Sequence, residues 1–293
     1  MPSERRFDTG TVELNYGEGP PNGPPFVILH GGAGSWRYAD ALIALLADRW
    51  HVYAPDLRGH GLSGRVPGRY DLRDYAADIA AFLAGAVREP AVVYGHSLGA
   101  EVAIMAAAAQ PGLFRAVVHG DVQFSRDDDP APADQDNLQY RLHRAQNELW
   151  HRLAGRPVPE IAAALRAMPV FVPGTEEPVR AGDAFGDENP WFEFQATNLH
   201  RLDPDMLAAV REGRDAMRAG YDPETLLPAI SCPVLILQAD PAAGGALSDE
   251  EVALGLRLLP RATHVRLGGM GHELHGRHAQ RVLDAMGPFL ATV

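Results

Sequence analysis

The sequence lacks several features that would assign it to common classes of protein. Cys232 is the one cysteine among 293 residues, so a disulfide cannot form within the chain. No run of 18 apolar residues occurs, and the N-terminal residues lack the apolar segment of a signal peptide. The sequence also has no metal-ligand spacing and no phosphate-binding loop, so we expect no cofactor. Together these absences predict a soluble, cytoplasmic protein.

Basic residues are scarce relative to acidic ones. The chain has 26 lysines and arginines against 38 aspartates and glutamates, which gives a formal net charge of −12. This excess of negative charge disfavours nucleic acid and an anionic membrane surface as partners. We therefore expect a small-molecule ligand. The composition does not indicate whether the protein is a monomer or an oligomer.

Short apolar strands alternate with helical patterns along most of the chain. An alternating segment at 11–16 predicts an antiparallel start to a sheet. Apolar strand candidates follow at 26–29, 51–54, 91–94, 116–119, 234–238 and 263–267, and helical patterns occur at 38–49, 72–87, 98–110 and 250–259. Nearly continuous apolar strands separated by helices predict an α/β fold, with a mostly parallel sheet covered by helices on both faces.

One long segment interrupts this alternation. Between about 121 and 230 no comparable strand run occurs, and helical patterns are found at 135–153, 159–168 and 204–218. A structureless loop of that length is implausible in a compact domain. We therefore predict a core at 1–121 and 230–293, with a helical cap inserted at 122–229. Trp150 and Trp191 of this segment, with Ala33 of the core, are candidate residues of a substrate pocket, although packing of cap against core explains each tryptophan equally well.

The pattern Gly-x-Ser-x-Gly around Ser97 stands between a strand candidate and a helix of small residues. This setting is typical of a nucleophile elbow, in which the serine occupies a strained turn above the carboxyl edge of the sheet. A glycine-rich turn follows the strand at 26–29. The amide of Gly32 in this turn and the amide of Leu98, which follows Ser97, could together form an oxyanion hole. The loop containing Asp56 and Arg58 predicts a structural pairing of these two residues.

His272 lies in a glycine-rich loop directly after the last strand candidate. A serine hydroxyl needs an imidazole to accept its proton and return it to the leaving group. Since the ends of neighbouring parallel strands meet at one edge of a sheet, His272 is the predicted general base.

These motifs, in this order, make the chain resemble the α/β-hydrolase fold family. The resemblance covers the whole chain except the predicted cap, and it implies Ser97 as nucleophile, His272 as base, and Gly32 and Leu98 as oxyanion donors. Members commonly carry the acid of the triad after the penultimate strand, where this chain has Asp240, although two positions earlier than in the usual pattern. Some relatives instead place the acid after the preceding strand, and Asp121 of this chain resembles that arrangement. We prefer Asp240 and keep Asp121 as the alternative.

The resemblance implies hydrolysis of a carboxylic ester or lactone through an acyl-enzyme. A serine excludes the haloalkane dehalogenases and epoxide hydrolases of this fold, because these need a carboxylate nucleophile. Amidases, carbon–carbon bond hydrolases and cofactor-free perhydrolases remain alternatives, since they use the same triad. A non-catalytic receptor built on the same fold is the competing class, and it usually lacks part of the triad.

Overall fold

The computed structural model describes residues 2–125, 138–170, 177–207 and 217–293. Eight strands form the central sheet, in the order β1-β2-β4-β3-β5-β6-β9-β10. Their bounds are β1 Ser3–Asp8, β2 Glu13–Glu18, β3 Pro25–Leu29, β4 His51–Pro55, β5 Ala91–His96, β6 Phe114–Gly120, β9 Val234–Ala239 and β10 Ala262–Leu267. The first two strands pair antiparallel, and all pairs from β4 to β10 are parallel. The predicted mostly parallel sheet is confirmed.

Helices cover both faces of this sheet. They are α1 Asp40–Leu46, α2 Leu72–Phe82, α3 Leu98–Ala109, α4 Leu138–Leu153, α5 Val158–Ala167, α6 Ala181–Phe185, α7 Pro190–Arg201, α8 Pro223–Ala229, α9 Asp249–Leu258 and α10 His275–Leu290. One apolar layer contains residues of α2, α3, α8 and α9, and the opposite layer contains residues of α1 and α10. The inner parallel strands β3 and β5 are buried along their whole length, which explains their nearly continuous apolar sequences.

Local sequence signals set the ends of several helices. Asp71 accepts a hydrogen bond from the Asp74 amide at the start of α2, and Ser248 caps α9 through the Glu251 amide. In α3, ten of the twelve residues are buried, and five of these ten are glycine or alanine, which let the helix pack closely against the sheet.

The segment between β6 and β9 contains α4 to α8 and a two-stranded hairpin of β7 Pro169–Val170 and β8 Val179–Arg180. Helix α5 matches the predicted helix at 159–168, whereas the hairpin and α7 were not predicted. The start of the predicted helix at 135–153 and most of the one at 204–218 lie outside the described residues. Helix α8 contacts α3 of the core. None of the described helices is long and apolar enough to cross a membrane.

Candidate active site

Ser97 occupies the sharp turn between β5 and α3. Its backbone has φ of 51° and ψ of −122°, a conformation that side-chain-bearing residues rarely adopt. The Ser97 amide donates to the Gly120 carbonyl at 2.9 Å, and the Ser97 carbonyl accepts from the Ala100 amide at 2.8 Å. These bonds at both ends of the residue hold the strained turn in place.

The two glycines of the motif are required by close approach of the backbone. A Cβ atom at Gly95 would lie 2.2 Å from the Gly99 carbonyl oxygen, and one at Gly99 would lie 2.4 Å from the Leu29 carbonyl oxygen. Both distances are far below van der Waals contact, so any larger residue would force strand and helix apart.

His272 lies in the loop between β10 and α10, and it pairs with the carboxylate of Asp121. Its Nδ1 donates to Asp121 Oδ2 at 2.8 Å. Because a carboxylate can only accept, this bond puts the proton on Nδ1 and leaves Nε2 free to accept another proton. The imidazole is 27% exposed, whereas the Asp121 side chain is fully buried.

Backbone amides satisfy the remaining lone pairs of Asp121. Oδ1 accepts from the amides of Ala239 at 2.9 Å and Leu247 at 3.2 Å, and Oδ2 accepts from the Ala246 amide at 2.9 Å. Asp121 itself has φ of 48°, and its amide donates to the Leu237 carbonyl of the neighbouring strand β9. The carboxylate is therefore held in a cage built from the end of β9 and the loop that follows it.

The paired groups shift each other's titration. Burial raises the pKa of the Asp121 carboxyl, but the hydrogen bond from His272 and the amide bonds outweigh it, and the net pKa is lowered. Burial lowers the pKa of His272, but the bond to Asp121 and the negative charges of Asp121 and Glu273 raise it overall. Both shifts favour a charged Asp121 beside an imidazole that is more basic than usual.

The preference for Asp240 over Asp121 was wrong. Asp240 is partly exposed, and its carboxylate accepts from the amides of Gly269 at 2.8 Å and Ala242 at 3.0 Å instead of from His272. These two bonds lower the pKa of Asp240. Its carboxylate therefore ties the end of β9 to the loop that carries His272, which is a structural role.

The predicted oxyanion donors flank Ser97 on two different elements. Residues 31–34 form a tight turn closed by a bond from the Gly34 amide to the Gly31 carbonyl, and Ala33 in this turn has φ of 56°. A Cβ atom at Gly31 would lie 3.2 Å from Ser97 Cβ, so the turn approaches the serine closely. The role of the Gly32 and Leu98 amides as oxyanion donors stays a prediction.

His30 bonds the backbone of this turn and the backbone of the loop that contains Asp56. Its Nδ1 donates to the Gly31 carbonyl at 2.7 Å, and its Nε2 accepts from the Leu57 amide at 2.9 Å. Burial lowers the pKa of His30 to about 4, so the ring is neutral at ordinary pH.

The predicted pairing of Asp56 with Arg58 was also wrong. Arg58 is buried and bonds Asp78 in bidentate fashion, through Nε at 2.6 Å and Nη2 at 2.8 Å. Asp56 accepts instead from the amides of Trp36 and Leu62 and from the Asn15 side chain. Asp56 and Arg58 thus brace the loop separately.

Helix α7 bonds Ala33 of the glycine turn and two residues that follow the turn, Ser35 and Tyr38. Asn198 Oδ1 accepts from the Ser35 hydroxyl at 2.9 Å, and Gln195 Nε2 donates to the Ala33 carbonyl at 3.4 Å. The Gln195 amide oxygen also accepts from the Tyr38 hydroxyl. Sequence reasoning missed this helix, although Asn189 followed by Pro190 is a typical helix start.

The candidate pocket residues lie in different surroundings. Ala33 is buried beneath α7. Trp191 lines a cleft of about 200 Å³ between α7 and the core, whose other walls include Tyr38, Glu273 and Arg277. Trp150 of α4 is partly buried and packs against the larger apolar cluster, which contains residues of both the core and the predicted cap. Their role in substrate binding stays a prediction.

No group of three residues that could hold a metal ion occurs among the residues that the structure describes. Burial raises the pKa of the Cys232 thiol to about 11, so this cysteine is a small buried side chain and a poor nucleophile.

Comparison with known proteins agrees with this architecture. The model of the alpha/beta hydrolase family matches residues 26–285, so the chain belongs to that family. The predicted family resemblance and fold class are thereby confirmed.

Among curated relatives, 2-(acetamidomethylene)succinate hydrolase of Mesorhizobium japonicum is 40% identical over 114 residues, which are 39% of this chain and 41% of that protein. Epoxide hydrolase A of Mycobacterium tuberculosis is 38% identical over 136 residues, covering 40% of this chain and 41% of that protein. The matched segments thus span about two fifths of these relatives.

A solved structure of E-2-(acetamidomethylene)succinate hydrolase superposes with a TM-score of 0.71. The superposition covers 99% of this chain and 100% of that one, at 23% sequence identity. At this identity the likeness establishes the fold.

Proposed function

We propose that this hydrolase cleaves a carboxylic ester or lactone with a triad of Ser97, His272 and Asp121. The observation that carries the proposal is the buried Asp121–His272 hydrogen bond of 2.8 Å, at the sheet edge where Ser97 occupies a strained turn. Strained backbone at the end of β5 and a base oriented by a buried carboxylate are what nucleophilic catalysis by serine needs. We also propose that the segment at 122–229 acts as a cap over this edge.

The first half of the reaction forms an acyl-enzyme. Ser97 Oγ attacks the carbonyl carbon while His272 Nε2 accepts the hydroxyl proton, and the carbonyl oxygen becomes an oxyanion. The amides of Gly32 and Leu98 stabilise that charge, and Asp121 stabilises the imidazolium. The carbon–oxygen bond to the leaving alcohol then breaks, and His272 gives the alcohol its proton.

The second half releases the acid. A water molecule gives a proton to His272 Nε2 and attacks the acyl carbon, and a second oxyanion forms against the same two amides. Its collapse breaks the bond to Ser97 Oγ, which regains its proton from His272. For a lactone, the alcohol and the acid leave as parts of one molecule.

An amide is the second candidate substrate. The relative with 40% identity is named for a substrate that contains an acetamido group, and the same triad can cleave an amide. The epoxide hydrolase relative does not favour epoxides here, because that chemistry needs a carboxylate where this chain has Ser97.

Labelling with a fluorophosphonate, together with a substrate panel, tests the proposal. We expect the wild-type protein to be labelled on Ser97 and to hydrolyse p-nitrophenyl acetate or a simple lactone faster than acetanilide. The Ser97→Ala variant is the matched control, and it should lose both labelling and hydrolysis. Labelling of that variant, or a wild-type protein that neither reacts nor hydrolyses any of these compounds, would contradict the proposed function.

A further inference from the structure

Two hydrogen bonds join the nucleophile strand β5 to the segment that carries His272. His96 Nε2 donates to the backbone carbonyl of His272 at 2.7 Å. Two residues earlier on the same strand, the Tyr94 hydroxyl bonds His275 Nδ1 at 3.1 Å. Since residues two apart on a strand share a face, both bonds leave the same face of β5. The residue directly before the proposed nucleophile is thus bonded to the backbone of the proposed base, in addition to the bond from His272 to Asp121.

The rings of this bridge form one packed cluster. The His96 ring centroid lies 4.7 Å from that of His272 and 5.3 Å from that of His275, and the Tyr94 and His275 rings meet edge to face at 5.3 Å. Tyr94, His96 and His275 are all buried. Burial keeps such a cluster rigid and strengthens its hydrogen bonds relative to those in water.

The bond from His96 fixes its tautomer. A carbonyl oxygen can only accept, so the proton of the neutral His96 ring is on Nε2. Burial, with the nearby His272 ring, lowers the pKa of His96 to about 4, despite the opposite effects of Glu273 and Asp121. A neutral ring beside His272 adds no positive charge next to the imidazolium that catalysis forms.

We propose that His96 is a positioning residue, whose Nε2–H holds the His272 carbonyl and thereby sets the imidazole between Asp121 and Ser97. This inference rests on the proposed function, in which His272 is the base. His96 occupies the variable position directly before the serine of the motif. Gly31 also lies against it, since a Cβ at Gly31 would lie 3.1 Å from His96 Nδ1. His96 therefore packs between the oxyanion turn and the base loop.

The wild-type protein tests the central contact without any substitution. Nitrogen-15 NMR of labelled histidines reports which ring nitrogen carries the proton. We expect the Nε2–H tautomer for His96 and the Nδ1–H tautomer for His272, the latter with a downfield proton from its bond to Asp121. A His96 ring protonated on Nδ1 alone would overturn the proposal, because it could not donate to the His272 carbonyl from Nε2.

A pair of variants of nearly equal size then separates positioning from packing. His96→Gln keeps a donor near the position of Nε2, whereas His96→Met fills similar space without a donor. We expect His96→Met to lower kcat by up to about 10²-fold at nearly constant KM, because small displacements of a reacting group have effects of that order. His96→Gln should recover most of this loss and most of the downfield His272 signal.

Equal activity of the two variants would overturn the positioning role, provided that thermal denaturation shows both variants to be folded. Failure of the proposed function looks different, since the wild-type protein would then be inactive and unlabelled by the fluorophosphonate. An active wild-type protein with indistinguishable Gln and Met variants would refute this inference alone.

Discussion

Strands β6 and β9 are neighbours in the sheet, and each is followed by an aspartate at the same edge, yet the two carboxylates differ in burial and in the groups that they bond. Asp121 is fully buried and accepts three amides and the His272 ring. Asp240 is partly exposed and accepts two loop amides. A carboxylate orients a base only when the fold points it at the base and withdraws it from water, and position at a strand end does not ensure either.

The two aspartates are nevertheless parts of one structure. The loop after Asp240 supplies the amides of Ala246 and Leu247 that bond Asp121, and the Asp240 carbonyl accepts from Ala243 and Gly245 within that loop. Asp240 also holds Gly269, three residues before His272. We therefore expect Asp121 to act on the chemistry directly and Asp240 to act through the shape of two loops.

The largest expected difference is in turnover. Asp121→Asn should lower kcat by about 10⁴-fold, because the asparagine side chain cannot hold the Nδ1–H tautomer of His272 or stabilise its cation. Asp240→Asn, the matched control, should retain more than a tenth of wild-type kcat. Steady-state kinetics on one ester measures both, and similar losses in the two variants would show that Asp121 is no more important for catalysis than Asp240.

Stability should separate the two positions next. Asp121→Ala leaves three amides without an acceptor, two of them buried, so we expect a loss of about 3 kcal/mol in the free energy of unfolding. Asp240→Ala leaves the amides of Ala242 and Gly269 where water can bond them, so it should cost clearly less. Urea denaturation, with the same slope in both variants, measures the two losses. An equal loss of free energy would mean that the amide bonds of the two carboxylates are equally important for folding.

The pH dependence of kcat/KM should also distinguish the aspartates. His272 must be neutral to accept a proton, and the bond to Asp121 raises its pKa. The rate should therefore rise with pH through a value above the ordinary imidazole pKa of about 6.5 in the wild-type protein. Asp121→Asn should move that inflection downward, whereas Asp240→Asn should leave it in place. An inflection that moves in Asp240→Asn and stays in place in Asp121→Asn would show that Asp240, and not Asp121, raises the pKa of His272.

The smallest effect concerns acid stability. The pKa of Asp121 is lowered in the folded protein, so its contribution to stability is complete above the ordinary value and is lost as pH falls through the folded one. Asp121→Asn should flatten the loss of stability below about pH 4. The midpoint of urea unfolding, followed from pH 6 to pH 3, measures this slope, and an unchanged slope would show that other carboxyl groups control acid unfolding.

Backbone strain follows the same edge of the sheet. Of the four described non-glycine residues with positive φ, three are Ala33, Ser97 and Asp121, which follow β3, β5 and β6. The Gly-x-Ser-x-Gly pattern predicted strain at Ser97. Nothing in the sequence marks it at Ala33 or Asp121, because there the conformation depends on bonds to α7 and to β9. Strain of this kind clusters at functional sites.

The sequence by itself determined the parallel strands and the helices between them, the elbow at Ser97 and the base candidate His272. These features depend on local periodicity and on glycines that a tight turn requires, so a short stretch of sequence is enough to predict them. Tertiary structure alone decided that Asp121 and not Asp240 pairs with His272, that Arg58 bonds Asp78, and that His96 reaches the His272 carbonyl. Each of these pairs joins residues on separate elements, and only the register of neighbouring strands and the course of the loops between them fix which side chains meet.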